Sequence, residues 1–277
     1  MVLCFRFMKN HSIHRTAIVH PKSRIGDHVQ IGPYTVVEED VLIGDETVIW
    51  DHVHIGRGTT IGKNNSIHIG AVIGHQAQHK VATPADGFLK IGDHNVFREY
   101  VTVHRGAEKE STTLIGDDNY FMAFSHVGHD CLIKNHTTVT NSVLLAGHVE
   151  LQDHCVLGGG AGIHQFCRIG SYAMIGGHAS VTRDVPPYTL MDDGEDLIGS
   201  INIIGLRRAG FAEETKRDIK NAYKLLYLSG LSVVKAAEAI AAGCHSAEAV
   251  LFLEFIKNSK RGVLGHRRQK VKISLSD

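Results

Sequence analysis

The chain has 277 residues, with 29 basic and 29 acidic side chains and no formal net charge. This excludes a global basic field that would draw it to nucleic acid or an anionic membrane surface. Its five cysteines, at 4, 131, 155, 167 and 244, include no CxxC pair, which argues against a disulfide scaffold and for a reducing, cytoplasmic compartment. No apolar run approaches the roughly 20 residues of a membrane helix, so no integral membrane segment is predicted.

The first residues, Met1–Phe7, are apolar but short, without a basic n-region or a small-residue cleavage site, and make a poor signal peptide. Met8 is an alternative start. From Ile13 onward a six-residue beat takes over. The steps read Ile13, Val19, Ile25, Ile31, Val37, Ile43, Ile49, Ile55, Ile61, Ile67 and Ile73. After breaks at His79 and Ala85 the same phase resumes at Ile91, Phe97 and Val103, breaks at Lys109, and then runs from Ile115 to Val181 without a gap. Of 29 steps, 26 carry a large aliphatic or Phe, where an apolar content of 43% would place about 12 by chance. A period of six is neither helical nor a simple strand alternation. It predicts a mainly β fold, a parallel β-helix of hexapeptide repeats in which each short side contributes one inward aliphatic. The recurrent Ile-Gly pairs, such as Ile25-Gly26, Ile43-Gly44 and Ile61-Gly62, are read as corners whose torsions a Cβ would forbid.

Two excursions interrupt the beat and return in phase, one near 74–90 with Pro84 and Gly87, the other near 105–113. Both read as loops extruded from a rigid scaffold, where binding groups concentrate. A surface insertion without a role is the alternative. The beat stops at Asp184-Val-Pro-Pro187, because tandem proline cannot continue a ladder. Beyond it the pattern turns helical. One helix is predicted over 211–228, closed by Gly230; a second over 233–242, capped by Ser232 and closed by Gly243; a third is opened by Ser246 with Glu248 and runs through Ile256. The predicted domains are therefore a β-helix over 9–190 and a C-terminal α-helical domain over 191–277, ending in a basic stretch from Arg261 to Lys272.

Most of the 20 histidines read as ordinary surface residues. Four are different. Three six-residue sides make an 18-residue coil, so between 115 and 181 residues 18 apart are predicted to stack about 4.8 Å apart. His129 then lies beneath Gly147 and Asp130 beneath His148, while His126, His129, His148 and His164 share one side. Two chemistries fit. In one, His129 is a general base whose tautomer Asp130 fixes, and the Gly147 N–H holds a developing oxyanion, which is acyl transfer. In the other, His126, His129 and His148 bind zinc and activate water, as in gamma-type carbonic anhydrases. The His-x2-His spacing and the helical tail count against the second.

A set of short segments decides between them: His126-Val-Gly-His129-Asp130-Cys131, Leu145-Ala-Gly147-His148-Val149, Ile163-His164-Gln165-Phe166, Asp184-Val-Pro-Pro187-Tyr188, Asn202 through Arg208 and Asn221-Ala-Tyr-Lys-Leu225, together with Arg98-Glu99 and His104-Arg105-Gly106. In this order they resemble the UDP-N-acetylglucosamine O-acyltransferases of lipid A biosynthesis, from about Ile13 to Gly262. The resemblance implies a left-handed β-helix, a homotrimer with clefts between subunits, and transfer of a 3-hydroxyacyl chain from acyl carrier protein to the 3-position of a UDP-sugar. No metal or cofactor is implied. It makes His129 the base, Asp130 its support and Gly147 the oxyanion donor. His126, His148 and His164 line the cleft, Gln165 meets the donor, and Asn202 and Arg208 hold the nucleotide. Gly177 falls where acyl length is set, and a glycine there leaves room for a longer chain. The sequence departs from the family at Gln78-His79, where an Asp usually follows the Gln and touches the sugar, and at Ile204 and Ala209, where an acid and an Arg are usual. A 3-amino sugar acceptor is the alternative that these departures raise. Basic residues of the tail, Arg207, Arg208, Lys216, Arg217, Lys220 and Lys224, are candidates for docking the acidic carrier protein.

Overall fold

The computed structural model describes residues 12–79 and 87–266. Met8, Pro84 and the basic tail beyond His266 lie outside the described residues. Two compact units divide the chain, Met1–Leu132 and Ile133–Asp277.

In the first unit each beat residue ends or sits within a strand of two to four residues, and the chain turns after it. The strands form three parallel sheets, running from Ser12–Ile13 to Tyr120–Phe121, from Ile18–Val19 to His126–Val127 and from Arg24–Ile25 to Thr112–Ile115. Ile13 sits opposite Ile31, and Ile31 opposite Ile49, an offset of 18. Across the first excursion the offset is 30, with Ile67 opposite Phe97. Across the second it is 24, with Phe97 opposite Phe121. Measured against 18, the excursions add two hexapeptides and one, which is why the beat survives them. From Ile25 onward every aliphatic or Phe beat residue of the unit is at most 7% exposed, and Phe97 and Phe121 stack with ring centroids 4.8 Å apart.

The Ile-Gly glycines are not the corners. Their φ is not positive. They are glycine because the next coil's backbone lies directly over them: a Cβ on Gly44 would stand 2.5 Å from the Gly62 carbonyl oxygen, and one on Gly32 2.7 Å from the Trp50 carbonyl carbon. The left-handed turn falls two residues later, mostly on residues with side chains: His28, Tyr34, Asp40, Glu46, His52 and Asn64 all have φ between 55° and 59°. His, Asn and Asp tolerate this region better than most residues. Among the described residues, seven histidines (28, 52, 94, 136, 148, 154 and 178) occupy such corners. Part of the strain is offset by stacking on the next coil, as between Tyr34 and His52 at 5.1 Å and Tyr100 and Phe124 at 5.3 Å.

In the second unit the 18-residue offset holds throughout the predicted repeat: Val139, Leu157 and Ile175 align, as do Leu145, Ile163 and Val181. The proline pair does not end the ladder. Thr189–Met191 pairs in parallel with Met174–Ile175 at an offset of 16, and Ile198–Ile201 returns antiparallel to it. Pro186 and Pro187 precede that strand, where a missing N–H is harmless, and Thr189 Oγ1 donates to the Pro186 carbonyl to close the turn.

Four helices follow among the described residues: α1 (Ile203–Arg208), α2 (Glu213–Tyr227), α3 (Val233–Gly243) and α4 (Ala247–Lys257). Ser232 caps α3 and Ser246 caps α4 through their hydroxyls, as the sequence predicts. Helix α1 has no counterpart in the sequence reading; at six residues it is too short to show a period. The chain then returns to the β-layer, with bridges from Asp184 to Val263 and from Ile198 to His266.

Candidate active site

In the first unit the second sheet carries a column of histidines. Thr102–His104 lies between Val72–His75 and His126–Val127. Gly74, at φ 77°, is an extra residue that shifts the register, so His75 rather than Gly74 faces His104. The buried Arg105 donates to the Gly74 carbonyl and fixes this bulge. His104 is 5% exposed, and its Nδ1 donates to the Gln76 carbonyl at 2.6 Å, which sets its tautomer. His126 pairs Nδ1 with Thr102 Oγ1 at 2.8 Å. Burial, and then the neighbouring His104 and His129 imidazoles, push the His126 pKa down to about 4. It is therefore a neutral ring at physiological pH.

His129 is two residues past the beat, half-buried, with Nδ1 2.7 Å from Asp130 Oδ2. Asp130 occupies a left-handed corner at φ 60°. Its N–H donates to Thr113 Oγ1 at 2.7 Å, and its carboxylate accepts from the Ala107 N–H at 3.2 Å. Both partners come from the second excursion, which thus has a structural role: it holds the carboxylate that faces His129. Neither Thr113 nor Ala107 is signalled by the sequence motifs, although Thr113 is a fully buried hydroxyl. The first excursion brings His79 edge-on to His129, with ring centroids 5.7 Å apart, while Gln78 beside it is exposed. With Nδ1 donating to Asp130, His129 is left with Nε2 as its basic atom.

In the second unit Gly147 is buried, its carbonyl accepts from the Phe166 N–H, and its own N–H donates to no group among the described residues. His148 and Phe166 occupy successive corners and stack at 4.6 Å. His164 is exposed and donates through Nδ1 to the Gln165 carbonyl. Gly177 does not open onto empty space. Its N–H donates to Asp193 Oδ1 at 2.7 Å, so the acidic loop after Met191 supplies a carboxylate at this point. A cavity of about 1070 Å³ lies between the last coils and the helices of this unit, and Asn202, Arg208, Ile204 and Ala209 all line it. The Asn202 amide is already committed: Oδ1 caps α1 by accepting from Gly205 N–H, and Nδ2 donates to the Tyr172 carbonyl. Of the six basic tail residues, Arg208, Lys220 and Lys224 face this cavity together, whereas Lys216 is paired with Glu213.

A family profile described as the second domain of UDP-N-acetylglucosamine O-acyltransferase matches residues 184–264, and one for six bacterial transferase hexapeptides matches residues 22–57. A curated relative from Halorhodospira halophila, named acyl-acyl-carrier-protein–UDP-N-acetylglucosamine O-acyltransferase, is 46% identical over 254 residues, covering 91% of this chain and 98% of the relative. This chain belongs to the UDP-N-acetylglucosamine O-acyltransferase family. Solved members agree. The enzyme from Moraxella catarrhalis is 36% identical, with a TM-score of 0.89 over 92% of this chain and 100% of that one. The Francisella novicida UDP-N-acetylglucosamine acyltransferase is also 36% identical, with a TM-score of 0.89 over 96% and 99%. The repeat is thus the left-handed parallel β-helix of this acyltransferase family, and the chain is an enzyme of that family. No helix among the described residues is long and apolar enough to cross a membrane.

Proposed function

We propose that the chain transfers a 3-hydroxyacyl group from acyl carrier protein to the 3-hydroxyl of UDP-N-acetylglucosamine, the first step of lipid A biosynthesis, in the cytoplasm. His129 Nε2 takes the proton of the attacking hydroxyl, and the freed oxygen adds to the thioester carbonyl. The buried Gly147 N–H receives the negative charge that develops on the carbonyl oxygen. Collapse of this intermediate breaks the C–S bond, and the departing thiolate takes the proton back from the His129 imidazolium. The observation that carries the reading is the 2.7 Å contact between His129 Nδ1 and an Asp130 that the second excursion itself holds in place.

His126, His148, His164 and Gln78 are proposed substrate contacts, with Gln165 on the donor side, Asn202 and Arg208 on the nucleotide side, and Gly177 with Asp193 at the end of the acyl groove. A neutral His126 suits a hydroxyl substrate, since it offers hydrogen bonds without charge. The histidine at 79 favours the 3-amino acceptor as a second reading, because the usual carboxylate contact is absent there. The exposed aromatic edge formed by Tyr34, Tyr100 and Phe124 in the first unit supports assembly with further copies, as the homotrimer requires.

Purified enzyme offered a mixture of 3-hydroxyacyl carrier proteins with UDP-N-acetylglucosamine and, separately, its 3-amino analogue tests the reading. Ester product supports it. Amide product alone moves the chain to the amino-sugar branch, and no product with either acceptor overturns it.

A further inference from the structure

Lys220, Tyr223 and Lys224 stand three and four residues apart on α2, so they share one helix face, and all three line the cavity of about 1070 Å³. Arg208 lines the same space from α1, and among the described residues no carboxylate does. Three cations around one space repel one another until an anion enters, so this face of α2 has to be held in place by other groups. Those groups come from the segment that follows α4. His266 is 5% exposed, and its Nε2 lies 2.7 Å from the Tyr223 hydroxyl. The two rings also meet edge-on, with centroids 5.8 Å apart.

The Tyr223 hydroxyl also donates to the Gly199 carbonyl at 3.3 Å. His266 is itself anchored to the β-layer: the Ile198 N–H donates to the Gly265 carbonyl at 2.8 Å, and Ile198 and His266 form a parallel bridge. One hydroxyl therefore joins α2, the segment at His266 and the strand Ile198–Ile201, which leads into Asn202. Ser200 and Asn202 line the cavity as well. Tyr227, one turn further along α2, provides the contrast. Its buried hydroxyl donates to the Leu264 carbonyl at 3.1 Å, but it is not part of the cavity wall. Resting on the acyltransferase reading, with Asn202 and Arg208 on the nucleotide side, we propose that His266 is a positioning residue for the sugar nucleotide. Through Tyr223 it sets Lys220 and Lys224 against Ser200 and Asn202, and so fixes the spacing of the cations that meet the diphosphate. It touches no substrate and takes no part in the proton transfers at His129.

Steady-state kinetics on the full chain tests this. In His266→Phe the KM for the UDP-sugar is expected to rise about tenfold, the worth of one buried hydrogen bond, while kcat and the KM for the acyl donor stay within about twofold. His266→Gln, whose amide can still reach the Tyr223 hydroxyl, is expected to recover most of the loss. Tyr227→Phe removes a hydrogen bond to the same segment away from the cavity, and is expected to lower the melting temperature without moving the KM. Combining His266→Phe with Tyr223→Phe is expected to raise the KM no further than Tyr223→Phe alone, because the two residues act as a unit. An unchanged KM in His266→Phe, an equal rise in Tyr227→Phe, or additive effects in the double variant overturns the proposal. A rise confined to the donor KM overturns it too and assigns the cavity to the carrier protein. Calorimetric binding of UDP to wild type and His266→Phe separates this inference from the reading it rests on. Binding that weakens about tenfold in the variant, without acyl transfer by either protein, would sink the acyltransferase reading and leave the positioning role standing. Normal turnover by wild type with UDP bound equally well by both proteins sinks the positioning role alone.

Discussion

Two groups of histidines share this fold and differ in everything but residue type. In the second unit His136 and His154 stack at 4.7 Å, and His154 stacks on Tyr172 at 4.5 Å, each ring carried by a left-handed corner. In the first unit His104, His126 and His129 have ordinary negative φ, and their ring nitrogens are assigned to Gln76, Thr102 and Asp130 respectively. The corner rings answer a backbone problem, whereas the sheet-face rings are oriented by specific hydrogen bonds. What separates the two is backbone conformation and the fate of Nδ1, and neither can be counted from composition.

The sharpest way to break this contrast is to remove a member of each group. His129→Ala is expected to lower kcat/KM by about 10³-fold while the melting temperature holds, measured by acyl transfer and calorimetry. Asp130→Asn follows, with a loss of about 10²-fold. Asn keeps the left-handed corner comfortable, so the loss reports on His129 and not on the turn. Gly44→Ala is expected to destabilise by about 1–3 kcal/mol in urea unfolding, because the added methyl meets the Gly62 carbonyl rather than a movable side chain. His126 supplies a pH-dependent term. Its folded pKa of about 4 lies below the unfolded value, so the unfolded chain binds the extra proton between roughly pH 6.5 and 4. Stability is therefore expected to fall as pH drops through that window, by no more than roughly 2 kcal/mol for a ring that keeps some contact with solvent. Urea titrations of wild type and His126→Asn should diverge there, and parallel curves would contradict the assignment. The smallest effect belongs to the corner. His154→Asn loses a ring stack, about 1 kcal/mol, and changes turnover less than threefold.

The fold was legible because the beat is a one-residue rule: an aliphatic every six positions is buried by a coil whose sides have that length. The caps of α3 and α4 were legible for a similar reason, since Ser232 and Ser246 act within three residues of themselves. Interactions that join distant segments were not. Asp130 leans on Ala107 and Thr113, Gly177 on Asp193, and Asp184 on Ser259 across 75 positions; no spacing announces such pairs. The strand at Thr189–Met191 was hidden because its offset of 16 steps out of phase just after the prolines. The Ile-Gly pairs were read for torsion when the constraint was clearance. His129 itself stands out from the 18-residue stacking of histidines and from the order of motifs around it, while the excursions that complete its surroundings carry no motif beyond Gln78-His79 and His104-Arg105-Gly106.

The lengths of the two excursions carry a consequence for how such a protein can change. Each adds a whole number of hexapeptides, seen as offsets of 30 and 24 in place of 18. A duplication or deletion of six residues can enlarge or trim a loop beside His129 and return every later aliphatic to the interior. One of five or seven must absorb the mismatch inside the loop or else turn the following side inside out. Variation in this region is therefore expected to be quantised, and libraries that remodel the loops should be built in steps of six.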